Sequence, residues 1–80
     1  MEDVVHIGFS TYIMRKRIIC VLPPTSAPMR RIREEAKESG MLIDATQGRK
    51  TRCIIVMDTN HVILSSLQPE TIQQRIVESK

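Results

Sequence analysis

The sequence predicts a small α+β domain of order β-β-α-β-β-α with a mostly antiparallel sheet. It is read as one domain over residues 1–80 that assembles into a homo-oligomer. Three observations predict this. Runs of β-branched residues bounded by Gly, Pro and Asn read as short strands. Two segments with apolar residues at helical spacing each begin beside a proline. And 80 residues build only a thin core, which a second copy would complete.

The elements follow in order. Val4-Val5-His6-Ile7-Gly8-Phe9 is a first strand, ended by Gly8 and Ser10. Arg17-Ile18-Ile19-Cys20-Val21-Leu22 is a second, stopped by Pro23-Pro24, neither of which can donate to a ladder. A helix then starts with Ser26 or Ala27 as cap and Pro28 in the first turn, where its missing N–H costs nothing. Met29, Ile32 and Ala36 form its apolar stripe, and Arg30 with Glu34 and Arg31 with Glu35 are opposite charges at i, i+4. Gly40 is its left-handed stop. Met41-Leu42-Ile43 is a short extended piece, and residues 44–50 form a loop in which Gly48 can take positive φ. Residues 52–57 and 61–67 pair as a hairpin across Asp58-Thr59-Asn60. Pro69 opens a last helix, with Glu70 near its positive end and Ile72 and Ile76 as its stripe.

The strands do not alternate cleanly. Ile18, Cys20 and Leu22 point one way, and Ile19 and Val21 the other. Cys53, Ile55 and Met57 likewise oppose Ile54 and Val56. A sheet apolar on both faces must be covered on both. Two short helices cover one, so the expectation is that another copy buries part of the other face or the helix flanks, the alternative being that the loops and both helices suffice.

Composition excludes several classes. No stretch is long or apolar enough to span a membrane, and the acidic Met1-Glu2-Asp3 is no secretory n-region, so a soluble cytoplasmic protein is expected. Cys20 and Cys53 sit in apolar runs and read as reduced, inert hydrophobes. Together with His6 and His61 they match no metal signature, so no metal or other cofactor is expected. Asp44 and Asp58 read as loop and turn residues rather than as a carboxylate pair. No nucleophile, base and orienter can be assembled, and an enzyme is not expected.

Charge is the informative feature. The net charge is +3, but residues 15–52 carry ten basic and four acidic side chains, while the rest carries two basic and five acidic. A cationic centre of this kind points to an anionic partner, nucleic acid first. Arg17 precedes the second strand. Arg30, Arg31 and Arg33 lie on the first helix, where the glutamates compete for them and a merely solvated face is an even alternative. Gly48-Arg49-Lys50-Thr51-Arg52 has no acidic residue beside it and is the favoured phosphate contact. With Phe9 and Tyr12 the sole aromatics, a base-stacking platform for single strands is excluded. That leaves duplex DNA read through backbone and shape. A scaffold that binds an acidic protein is the alternative.

Ser26-Ala27-Pro28, then Gly40-Met41-Leu42-Ile43-Asp44-Ala45-Thr46, then Gly48-Arg49-Lys50-Thr51-Arg52 resemble the extracellular matrix regulatory protein RemA family, formerly a domain of unknown function. Ile7-Gly8-Phe9, Arg17-Ile18-Ile19, Met57-Asp58 with His61-Val62, and Gln68-Pro69-Glu70-Thr71 extend the match from about Ile7 to Arg75. The resemblance implies a bacterial, nucleoid-associated, DNA-binding regulator that activates biofilm-matrix genes. It also implies a ring of identical subunits that presents the same basic loop many times. It places functional arginines on Arg17 and Arg49, with Lys50 beside the latter, and a structural proline on Pro28. The family usually has Arg at the position of Lys50, which here keeps the charge and loses the bidentate fork.

Overall fold

The computed structural model describes residues 3–25 and 27–78. Ser26, one of the two expected helix caps, and Met1-Glu2 of the acidic start lie outside the described residues. Among the described residues there are six strands and two helices: β1 (Val4–His6), β2 (Tyr12–Met14), β3 (Ile18–Leu22), α1 (Ala27–Glu38), β4 (Leu42–Asp44), β5 (Cys53–Met57), β6 (Val62–Ser65) and α2 (Pro69–Glu78). A single 3-10 turn, Arg15–Arg17, leads into β3.

The expected order holds, with two short strands added. β1 ends at His6 rather than at Phe9, because the chain turns at Gly8 and returns as β2 in an antiparallel hairpin. The extended piece after Gly40 becomes β4, which pairs parallel to β6. The main sheet runs β3-β5-β6-β4, antiparallel except at that edge.

Local chemistry explains the boundaries. α1 stops where Gly40 takes a φ of 76°. Its N–H then reaches the Lys37 carbonyl at 3.3 Å, and the Met41 N–H reaches that of Ala36 at 2.8 Å. This is the paired closure that a left-handed glycine permits. The β5–β6 hairpin turns at Asn60, whose φ of 72° an asparagine tolerates.

The two-sided pattern of β5 is real. Cys53, Ile55 and Met57 face Val5, Ile7, Ile13, Ile63 and Ile72, whereas Ile54 faces Met29, Ala36, Val62 and Leu64. β3 departs from strict alternation. A bulge between Ile18 and Cys20 leaves Ile19 61% exposed and places Ile18 and Val21 on the same face. One extra residue in a strand reverses the facing of everything beyond it.

The second copy is not needed to cover the sheet. α1 covers one face, and α2 together with the β1–β2 hairpin covers the other. Each fully buried aliphatic side chain contributes about 1.5–3 kcal/mol. Splitting the core over two faces lets a short chain bury many of them. Among the described residues no helix is long and apolar enough to cross a membrane.

Candidate nucleic-acid interface

The sheet has two ends, and the expected basic residues divide between them. Arg52 continues β5 at its start, its N–H donating to the Ser65 carbonyl at 2.9 Å. Arg17 sits beyond the other end of β5, where its carbonyl accepts the Asp58 N–H at 2.8 Å and Ile18 pairs with Met57. At the rise of a strand the two arginines are about 15–20 Å apart along the sheet.

The basic loop is built by a tight turn. The Arg49 N–H donates to the Thr46 carbonyl at 3.0 Å, and Gln47 and Gly48 form the corner with φ of 55° and 82°. Gly48 was the expected left-handed residue; Gln47 joins it. The turn is anchored by Asp44, whose Oδ1 accepts the Thr46 hydroxyl at 2.6 Å and the Thr46 N–H at 2.9 Å. Thr46 is buried, while Gln47, Gly48, Arg49 and Lys50 are exposed. One polar anchor thus holds an otherwise solvated cationic loop.

Asp44 is held below the ordinary carboxylate range, first by the Thr46 hydroxyl, then by the Thr46 N–H, with the Arg33 charge adding to both against a desolvation cost. The folded form therefore favours the carboxylate. Its contribution is complete above the ordinary value near 3.8 and is lost as pH falls through the lowered one. On acidification through that window, the Thr46 amide should lose protection from hydrogen exchange before the amides of β5 and β6. Simultaneous loss across the sheet would show that Asp44 does not anchor the loop separately.

Beside this loop lies an open pocket of about 560 Å³, with Arg49, Lys50 and Arg52 on one side and Gly8, Phe9 and Leu67 on the other. No acidic side chain lines it. The Arg49 Cζ stands 5.6 Å from the centre of the Phe9 ring. The structure thus brings together three of the seven residues expected to touch DNA.

The other four are placed differently. Arg30 is exposed and lines a separate opening at the start of α1 with Pro24 and Thr25. Arg33 acts on Asp44, close enough to lower its pKa. Arg31 is exposed. Arg17 makes an ion pair with Asp58 at 3.4 Å. Among the described residues this is the one ion pair seen, so the expected partnerships of Arg30 with Glu34 and Arg31 with Glu35 do not form. Exposed pairs of this kind gain little over hydration. Pro28 is exposed in the first turn of α1, as its residue type requires.

Sequence reasoning missed the partners of the basic loop. The sequence places Phe9 at the end of the first strand and gives it no link to the loop. Its local signal was present, since an aromatic directly after Gly8 in a turn is out of place, but nothing local joins it to Arg49. Ser65 was missed too. Fully buried, its hydroxyl donates to the Ile7 carbonyl at 2.8 Å and accepts the Leu67 N–H at 3.2 Å.

The remaining reactive groups are occupied structurally. Burial, with Glu70 nearby, pushes the Cys53 thiol up to about 11, so it stays protonated and inert. Arg75 Nη1 lies 3.1 Å from His6 Nδ1, and His61 Nδ1 lies 2.6 Å from the Thr59 hydroxyl. Among the described residues no three His, Cys, Asp or Glu side chains gather as a metal set.

A family model described as RemA-like, extracellular matrix regulatory protein A-like, matches residues 4–76. A protein of Oleidesulfovibrio alaskensis named as a regulatory protein is 53% identical over 79 residues, covering 99% of this chain and 94% of that one. One of the same name from Fervidobacterium nodosum is 54% identical over 79 residues, covering 99% and 85%. Another from Kosmotoga olearia is 51% identical over 79 residues, covering 99% and 80%.

Proposed function

The chain belongs to the RemA-like family, and on that premise we propose that it is a regulatory protein that binds duplex DNA as a homo-oligomer. The observation that carries the reading is the pocket beside Arg49, Lys50 and Arg52, cationic on one side and free of lining carboxylates. Arginine grips a phosphate through two parallel N–H donors, and fixed backbone turns set its position beforehand. The reading assigns no catalytic step. Its target genes are those of an extracellular matrix, the class in the family's description, and its place is the nucleoid.

Self-association supports the reading energetically. One chain offers few phosphate contacts, and its cations are split between two ends of the sheet. Linked copies multiply the contacts and raise their effective concentration. β3 is a sheet edge with unpaired backbone groups, and Ile19 and Val77 beside it are 61% and 57% exposed. An edge of this kind is where another copy can dock. A ring, as the family resemblance implies, would carry the loops outward at regular intervals. Bending DNA along them costs on the order of a few kcal/mol per short site, which repeated arginine contacts offset.

The test is binding of purified protein to a duplex at two salt concentrations, after its mass in solution is fixed by light scattering. An oligomer whose log affinity falls steeply with log salt, by about 0.9 for each phosphate neutralised, supports the reading. An oligomer that ignores duplex DNA and binds an acidic protein replaces it with a scaffold.

The Arg17–Asp58 pair gives a more specific expectation. A guanidinium already paired must break that contact to meet a phosphate. Asp58→Asn keeps the backbone bond to Arg17 and removes the competing charge, so it should tighten duplex binding about twofold to fivefold. Unchanged or weaker binding by a folded Asp58→Asn protein would remove Arg17 from the interface.

A further inference from the structure

We propose that Phe9 is a positioning residue of the DNA interface, holding the Arg49 guanidinium ready for a backbone phosphate. The proposal rests on the duplex-binding reading above. Its ground is a conflict between what the β1–β2 turn needs locally and the residue found there. The Thr11 N–H donates to the Gly8 carbonyl at 2.9 Å, closing a turn whose two central residues are Phe9 and Ser10, with φ of 50° and 60°. Corners with two positive φ values belong to Asn and Gly. A bulky aromatic is an outlier there.

Such strain persists only where the surroundings fix it. Here the Ile7 N–H donates to the Thr11 carbonyl at 2.9 Å, and the Ser10 N–H donates to His6 Nε2 at 3.2 Å. His6 is itself held from α2, where Arg75 donates to its carbonyl at 2.8 Å. Gly8, at a φ of 105°, packs beside Leu67, where an added Cβ would sit in ordinary contact at 3.6 Å from its Cγ. These bonds hold the turn at its base, while Phe9 and Ser10 stay exposed at its tip.

Core packing does not explain the choice of side chain, because Phe9 remains 42% exposed. What the ring touches is Arg49, whose Cζ stands 5.6 Å from its centre. A cation over an aromatic face is attracted to it, and a stacked guanidinium keeps its in-plane N–H donors free for phosphate oxygens. An arginine already held loses less rotamer freedom on binding. Two tight turns from distant parts of the chain, one carrying the ring and one the guanidinium, thus meet to preset a phosphate contact.

Phe9→Leu, Phe9→Tyr and Phe9→Asn test this. In the free protein, ring current should shift the Arg49 δ-methylene protons upfield in the wild type and in Phe9→Tyr, and not in Phe9→Leu. At moderate salt, Phe9→Leu should lose about twofold to fivefold in duplex affinity, the value of one exposed cation–π contact. Phe9→Tyr should restore it, and the deficit should vanish when Arg49→Ala is the background. Phe9→Asn relieves the backbone and should melt a few degrees higher while it binds DNA more weakly. Equal binding by Phe9→Leu, a loss that persists without Arg49, or a lower melting point for Phe9→Asn would overturn the assignment. Failure of the wild type to bind any duplex would instead overturn the reading beneath it.

Discussion

Arg49→Ala should weaken duplex binding at moderate salt by about tenfold or more while the mass in solution stays unchanged. Hydrogen bonds to a charged group contribute roughly 1.5–3 kcal/mol, and 1.4 kcal/mol is a factor of ten. Arg49 lines the pocket with Lys50 and Arg52, on a turn fixed by its own backbone. Truncating it removes a preset contact without touching the core, because Arg49 is exposed. Arg49→Lys should recover part of the loss, since it restores the charge and not the fork. Arg17→Ala should cost less, because part of what Arg17 gives to a phosphate it already gives to Asp58. The measurement is a titration with one duplex under fixed salt. An Arg49→Ala protein that binds like the wild type removes the loop from the interface. One that loses its oligomeric mass makes Arg49 an assembly residue.

The difference between what was legible in the sequence and what was not follows the range of the interactions. The helices, the β5–β6 hairpin and the loop that carries Arg49 are written locally, in Pro28 and Pro69, in Gly40 and Gly48, and in the two-faced run from Cys53 to Met57. β2 was invisible because the three residues Tyr12–Met14 carry no period, and a strand so short exists only by pairing with β1. The bulge at Ile19 was equally hidden, since its register is chosen by β5. How both faces of the sheet are covered was hidden for the same reason. The sequence offered no sign that residues 3–14 fold back with α2 over one face of the sheet. In the site, the cations were legible and their company was not. Arg49 meets Phe9, and Asp44 anchors Thr46, through contacts that only the fold creates.

Ser65→Ala should be the most damaging single change of a polar side chain, although it removes one oxygen. The site lies at the end of β6, after the apolar run Val62, Ile63 and Leu64, and Ser65 itself is 0% exposed. Its hydroxyl serves both the Ile7 carbonyl and the Leu67 N–H. Alanine leaves the Ile7 carbonyl without that partner in a buried setting and the Leu67 N–H without it in a half-buried one, which costs about 1–3 kcal/mol. For a domain of this size that is a drop in melting midpoint of about 5–20 °C. The loss is directed as well as general. Ile7 precedes Gly8, and Gly8 packs on Leu67, so the hydroxyl holds the Gly8 and Leu67 side of the pocket, the side that carries Phe9. A Ser65→Ala protein held below its melting midpoint should therefore bind duplex more weakly, although Ser65 cannot reach a phosphate. Ser65→Cys keeps a weak donor and acceptor at similar volume and should fall between the two. Thermal unfolding of the three proteins, followed by binding at a temperature where all are folded, separates the two effects. An unchanged midpoint would show that the fold relaxes to satisfy Ile7 and Leu67 without the hydroxyl. A lowered midpoint with unchanged binding would show that the turn carrying Phe9 is held by its own hydrogen bonds and not by β6.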